Sequence, residues 1–367
     1  MAPFRSERFY NPGSLYLAAR ELKTAVESAR KQISSTIGVQ PNEIIFISGA
    51  TESVNLALFG VAKHYPGTKI LALSTEHHAV LNCLKALEAQ GHQTNLIPVD
   101  ARGRIKLDQI EKLIDDKTVL ISVALANNET GTIQPIREVA KLIAGIRQKR
   151  RNGLPLYLHT DASQAANYLP LSVDRLGVDL LSLGGSKIYG PHGSGLLFLK
   201  KGVNLEPVIF GGGQEKGLRS GTLGADLVVG LAEALSITQK SAKAEVARLT
   251  KLRDQALDQI KNIDGVRING DSKTSLPNFI NLSVEDASGE SLVLYLDEAG
   301  IQVSTGAACT IGQAQPSHVL LALGLTEDEA NSNLRITLGR ATGPSDINRL
   351  LKALPRVVGR VRQLPRD

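Results

Sequence analysis

The sequence predicts an α/β protein built on a largely parallel sheet, with a smaller α+β domain after it. Three observations carry this reading. Short β-branched runs alternate with helical patterns up to about residue 240, the order that a parallel sheet covered by helices requires. Residues 118–124 (TVLISVA) are almost wholly apolar, as suits a strand buried on both faces. Near residue 240 the alternation gives way to a charged amphipathic stretch and then to short mixed elements. The expected boundary is 245, with a large domain over residues 1–245 and a small one over 246–367.

The elements follow in order. Residues 15–37 carry an apolar stripe at Leu17, Ala18, Leu22, Ala25, Val26, Ala29 and Ile33, which is helical spacing. Residues 43–47 (EIIFI) read as a strand and 52–63 as a helix. Residues 69–73 are a strand and 80–90 a helix. The strand 118–124 leads to a helix over 136–149, and further strands fall at 156–159, 178–183 and 195–199. In the small domain a helix over 242–260 precedes strands at 265–268, 278–283 and 302–304. Helices at 291–298 and 316–323 complete it. No repeat or low-complexity tract interrupts the pattern.

Composition narrows the function. The chain is 42% hydrophobic and 21% charged, ordinary for a soluble protein with a sizeable core. Its net charge is only +6. The densest basic run, residues 147–151 (RQKRR), ends a predicted helix, where cations complement the helix dipole. No aromatics interleave with it, so it does not read as a nucleic-acid surface. No apolar stretch is long enough and free enough of charge to span a bilayer. The start, MAPFRSERFYNPGS, has no apolar signal core. Two cysteines, Cys83 and Cys309, argue against a disulfide framework and for a reducing compartment. The expectation is a cytoplasmic protein.

Polar clusters gather where strands should end, the place where open α/β sheets bind ligands. Residues 48–52 (SGATE) form a small-residue turn that opens a helix. Such a turn offers free amides to an anion, or is simply an N-cap with Thr51 as the capping residue. Residues 74–78 (STEHH), 126–131 (ANNETG) and 159–164 (HTDASQ) follow three further strands. The histidines show no metal-binding spacing, so no metal is expected. The stretch SLGGSKIYGPHGSG, residues 182–195, places one amine, Lys187, in a glycine-rich turn at a strand end. There is no phosphate-binding loop and no dinucleotide fingerprint. An amine, an acid and an anion-binding turn together suggest pyridoxal 5'-phosphate.

With these residues in view, the chain resembles the cysteine desulfurases, class V aminotransferases of pyridoxal-phosphate fold type I. The motifs SGATESVNLA, TEHHAVLN, NNETGTIQPI, HTDASQAA, SKIYGPHGSG, GGGQEKGLRSGT, STGAACTIGQAQPSHVLLALG and LRITLGRAT stand in the family's order over nearly the whole chain. The resemblance implies a large cofactor domain with a mostly parallel seven-stranded sheet and a small domain carrying a catalytic cysteine loop. It implies that Lys187 carries the cofactor and that Asp161 pairs with its ring nitrogen. Gln164 and Asn128 would hold the ring's phenolate side, with Asn128 also near the substrate. His77 would stack on the ring and move protons. Ala50, Thr51 and Ser186 would hold the phosphate, and Thr222 would reach the partner subunit's phosphate in a homodimer. Arg335 would grip the substrate carboxylate, a role in which Arg340 is the lesser candidate. Cys309 would take the sulfur of L-cysteine as a persulfide, release L-alanine, and pass the sulfur to an acceptor. That acceptor would be an iron–sulfur scaffold or another sulfur-accepting protein, serving cluster assembly or tRNA and cofactor thiolation. Cys83, in an apolar helical run, is expected to be structural.

Two departures from the family pattern stand out. The family's Ser-x-His-Lys is here Gly184-Gly185-Ser186-Lys187. Two phosphate-contacting side chains are thereby changed, and weaker cofactor retention is expected. The family's opening Asp-Asn-Ala-Ala-Thr-Thr turn is also missing from this sequence. Selenocysteine lyase or another aminotransferase-like enzyme is the alternative of the same class. A cofactor-poor sulfurtransferase scaffold is the alternative of a different class.

Overall fold

The computed structural model describes residues 1–306 and 315–364. The chain divides into two compact units. The first comprises Met1–Ile97, Lys106–Leu125 and Gln134–Ala242. The second takes Lys243 onward together with two earlier segments, Pro98–Ile105 and Ala126–Ile133.

The first unit is built on seven strands: β1 (Ile44–Ile47), β2 (Lys69–Leu73), β3 (Gln93–Ile97), β4 (Thr118–Ser122), β5 (Tyr157–Asp161), β6 (Leu180–Gly184) and β7 (Gly195–Leu199). Their order in the sheet is β1-β7-β6-β5-β4-β2-β3. Pairings among β3, β2, β4, β5 and β6 are parallel, and β7 runs antiparallel to both β6 and β1. Six strands therefore end on one edge, and β7 begins there. Strands β1, β2, β4 and β6 are buried at every residue, which explains their predominantly apolar sequences. The helix Ala50–His64 buries Val54, Ala57, Leu58 and Val61 in a core shared with Ile45, Ile47, Ile70 and Leu197.

The second unit carries an antiparallel sheet in the order β10-β9-β8, from β8 (Val266–Ile268), β9 (Phe279–Val284) and β10 (Asn333–Thr337). The architecture is that of an α/β chain of fold type I.

Several boundaries differ from the sequence expectation. The first long helix is Leu17–Ile37, not 15–37, because Leu15 is 90% exposed and lies outside the buried stripe. The helix expected at 242–260 is the second half of one 36-residue helix, Ala225–Ile260. One glycine and no proline fall inside it, so no residue breaks the backbone hydrogen bonds. The segment 302–304 is not a strand and makes a single antiparallel bridge, Ser304 to Arg335. The helix expected at 316–323 is His318–Ala322, because Ser317 serves as its N-cap.

Candidate active site

The sheet edge gathers most of the residues singled out by the sequence. Strand β1 leads through Gly49 into the helix Ala50–His64. Gly49 is the N-cap, and no side chain caps that end. Thr51 is therefore not the capping residue; it lies in the first turn. The amides there are left for an anion, which the helix dipole favours. The backbone beneath is stripped of side chains. A Cβ at Gly184 would stand 3.2 Å from the Ala50 amide nitrogen, and Gly184 pairs with Gly195 across β6 and β7. Beside this turn, Glu52 accepts from the Ser48 amide at 2.6 Å and from Arg219 Nε at 2.8 Å. Burial opposes its charge, but Arg219 and Ser48 overcome that and hold the carboxyl below its usual range.

Strand β2 leads to Glu76 and His77. His77 is the N-cap of the helix His78–Glu88, and its Nδ1 accepts from the Ala79 amide at 3.1 Å. That bond makes Nδ1 the acceptor, so the neutral ring carries its proton on Nε2. Burial lowers the His77 pKa; the charge of Asp161 opposes this, while His78 and Lys187 lower it further. Asp161 ends β5, and its Oδ1 accepts from the Ser163 amide at 2.9 Å. Ser163 Oγ in turn accepts from the Gly184 amide at 3.1 Å, which ties the end of β5 to the start of the lysine turn. Gln164 follows, half-buried.

Sequence reasoning missed Glu76. It is 0% exposed, and its Oε1 accepts from the Ala124 amide at 2.7 Å. Burial pushes its pKa up to about 8, and the neighbouring charge of Asp161 acts in the same direction. Burial thus favours the protonated form of Glu76 beside the strand-end carboxylate of Asp161. Ser122, which also bonds Glu76, meets His159 Nδ1 at 2.9 Å, and His159 Nε2 meets Ser182 Oγ at 2.8 Å. Burial pushes His159 down to about 3. A buried polar file thus crosses β4, β5 and β6. The signal was in the sequence as the acid of TEHH and the serines inside β4 and β6, polar residues in otherwise apolar runs.

Lys187 sits in a tight turn over Gly185–Ile188, with Tyr189 left-handed at φ 59°. The turn closes from the Gly190 amide to the Gly185 carbonyl at 2.9 Å. Asn167 Nδ2 donates to the Lys187 carbonyl at 2.6 Å. A Cβ at Gly185 would overlap Ser194 Oγ, so a larger residue there would have to displace that hydroxyl. Both Ser186 and Lys187 are exposed, as is Thr222.

The second unit holds Asn128 and Arg335. Asn127 Oδ1 accepts from the amides of Glu129 and Thr130 at 2.8 and 2.9 Å, which shapes the NNET turn. Arg335, on β10, donates from Nη1 to the Asn128 carbonyl at 3.0 Å. Cys309 lies outside the described residues. Cys83 is 4% exposed among apolar neighbours, and burial pushes its thiol up to about 11, the setting of a structural cysteine.

Comparison with known proteins identifies the family. The family model for class V aminotransferases matches residues 6–350. Cysteine desulfurase IscS 1 of Archaeoglobus fulgidus is 43% identical over 99% of this chain and 94% of that protein. A solved NifS-like protein superposes with a TM-score of 0.90 at 34% identity, over 98% of this chain and 94% of that one. A structure described as SspA in complex with cysteine gives 0.78 at 34% identity, over 92% of each chain. The chain belongs to the class V aminotransferase family and, within it, to the cysteine desulfurases.

The residues present fit the pyridoxal 5'-phosphate on which this family depends. The uncapped helix end above a hollow of glycines suits a phosphate. A strand-end carboxylate suits a ring nitrogen, an amine in a fixed turn suits an aldehyde carbon, and a neutral imidazole stands beside both.

Proposed function

We propose that this protein is a cysteine desulfurase that converts L-cysteine to L-alanine and passes the sulfur on as a persulfide. The observation that carries the reading is the convergence of His77, Asp161 and Lys187 with the uncapped Ala50–Thr51 helix end on one sheet edge. When bound, pyridoxal phosphate supplies an electron sink that acidifies the substrate's α-hydrogen and weakens its Cβ–S bond.

The chain's own residues do the rest. Lys187 would hold the cofactor covalently, and its amine, when free, would receive and return the substrate's α-proton. Asp161 pairs with the ring nitrogen, and Gln164 and Asn128 with the phenolate side. Thr51, Ser186 and the amides at Ala50 hold the phosphate. His77 covers the ring and carries a proton on Nε2. Arg335 grips the substrate carboxylate through two parallel hydrogen bonds, which the planar guanidinium favours. The Cys309 thiolate attacks the substrate sulfur: an S–S bond forms, the Cβ–S bond breaks, and its electron pair stays on Cβ, which is protonated as alanine forms. The first unit then acts as the cofactor domain, and the second as the domain bearing the cysteine loop.

A homodimer, with Thr222 of each subunit reaching its partner's phosphate, is supported by apolar side chains left exposed on the first unit, among them Phe9 (73%) and Phe210 (69%). The sulfur acceptor is a scaffold for iron–sulfur assembly or another sulfur-accepting protein. Cysteine scarcity supports a cytoplasmic site of action, and no helix among the described residues is long and apolar enough to cross a membrane.

Borohydride reduction of the loaded protein, followed by peptide mass analysis, tests the Lys187 assignment. A pyridoxyl group on the peptide containing Lys187 is expected. Its recovery on another lysine would overturn the assignment.

A further inference from the structure

We infer that Glu129 is a positioning residue for sulfur transfer: its buried side chain ties together Gly306 and Ser317, two described residues on either side of Cys309 in the chain. The inference rests on the reading of Cys309 as sulfur acceptor given above.

Glu129 is 3% exposed. Its Oε2 accepts from Ser317 Oγ at 2.5 Å. Ser317 is the N-cap of the helix His318–Ala322, and its Oγ also accepts from the Leu320 amide at 3.2 Å. On the other side, a Cβ at Gly306 would overlap the same Glu129 oxygen. Any side chain at Gly306 would therefore have to displace the carboxylate. Its amide donates to Asn333 Oδ1 at 2.8 Å. Asn333 Nδ2 donates to Asn281 Oδ1 at 2.6 Å, and Asn281 Nδ2 returns to the Glu129 carbonyl at 3.2 Å. The circuit closes on itself within the second unit. Asn128, whose carbonyl receives Arg335, is the next residue in the same turn.

A buried carboxyl is costly unless donors meet it, and apolar residues of the same volume often give equal or greater stability. A satisfied polar circuit instead fixes geometry. Here the geometry fixed is that of both roots of the cysteine-bearing segment, relative to the arginine read as the substrate's carboxylate clamp. Small displacements of a reacting group cost large factors in rate, which gives this frame its purpose.

The test uses loaded wild type, Glu129→Ala, Glu129→Gln, Ser317→Ala and the Glu129→Ala/Ser317→Ala pair. One readout is the single-turnover rate of alanine formation from L-cysteine. The other is exchange of the α-hydrogen of L-alanine in D2O, which uses Lys187 and the substrate clamp but no thiol. Glu129→Ala and Ser317→Ala should each slow alanine formation by about ten- to a hundredfold while exchange stays within about twofold. Glu129→Gln keeps an acceptor for Ser317 and should recover most of the rate. The double variant should be no slower than Glu129→Ala, as coupled residues require. Equal loss of both readouts, no loss of either, or additive losses would overturn the inference. If Glu129→Ala does not fold, Ser317→Ala carries the same two readouts. Failure of the Cys309 reading would show differently, as desulfuration retained by Cys309→Ala.

Discussion

Gly195 approaches Gly49 so closely that a Cβ on the first would stand 2.8 Å from the Cα of the second and 2.7 Å from the Leu183 carbonyl oxygen. The start of β7 is thereby pressed onto the turn that opens the helix Ala50–His64, with only backbone between them. Backbone cannot step aside as a flexible side chain can. Gly195→Ala should therefore cost about 1–3 kcal/mol, the usual range for overpacking, and loosen the phosphate end of the site. Chemical denaturation of the apo protein and retention of pyridoxal phosphate on dialysis should both worsen. An unchanged denaturation midpoint would show that the contact has slack.

The departures at Gly184 and Ser186 lead to a second prediction. Ser186 is exposed, so a larger side chain has room to reach a bound phosphate. A charge-assisted hydrogen bond contributes about 1.5–3 kcal/mol, so Ser186→His should tighten cofactor binding by about ten- to a hundredfold. Gly184→Ser should gain less, because its Cβ already meets Ala50 at 3.2 Å. Equilibrium titration of the apo variants with pyridoxal phosphate decides this. Wild-type affinity equal to that of Ser186→His would mean that backbone amides already compensate.

Glu76 gives a prediction in pH. Its folded pKa is raised from 4.5 to about 8. Below 4.5 it is protonated in both the folded and the unfolded chain, and its contribution is fully present. Above that the unfolded chain releases a proton that the folded protein keeps, so stability drains away as pH rises to about 8. Glu76→Gln removes this loss. Its stability relative to wild type should rise steadily between about pH 5 and 8, measured by urea unfolding of the apo proteins. A difference that stays flat with pH would show that Glu76 is ionised when buried.

The sequence made the sheet legible where apolar runs were nearly unbroken, as in Thr118–Ser122 and Gly195–Leu199. Strand β10 was harder to see. Asn333 and Arg335 interrupt its apolar pattern, and both spend their side chains on hydrogen bonds, to Asn281 and to the Asn128 carbonyl. The segments Pro98–Ile105 and Ala126–Ile133 join the second unit through tertiary packing that no local pattern announces. Among candidate site residues, the strand-end acid and the lysine of the glycine-rich turn stood out by their positions. Glu76 and Glu129 stood out less, because their partners are distant in the chain: Ala124 for one, Ser317 for the other.

The central claim is that this chain moves sulfur from L-cysteine to Cys309. The most direct measurement is release of alanine and sulfide from L-cysteine by wild type and Cys309→Ala, with added pyridoxal phosphate and a thiol reductant. Wild type should form both products, and the variant should lose both while keeping its bound cofactor. Wild type that stays inactive and colourless under saturating cofactor, or a variant that matches it in both products, would contradict the account.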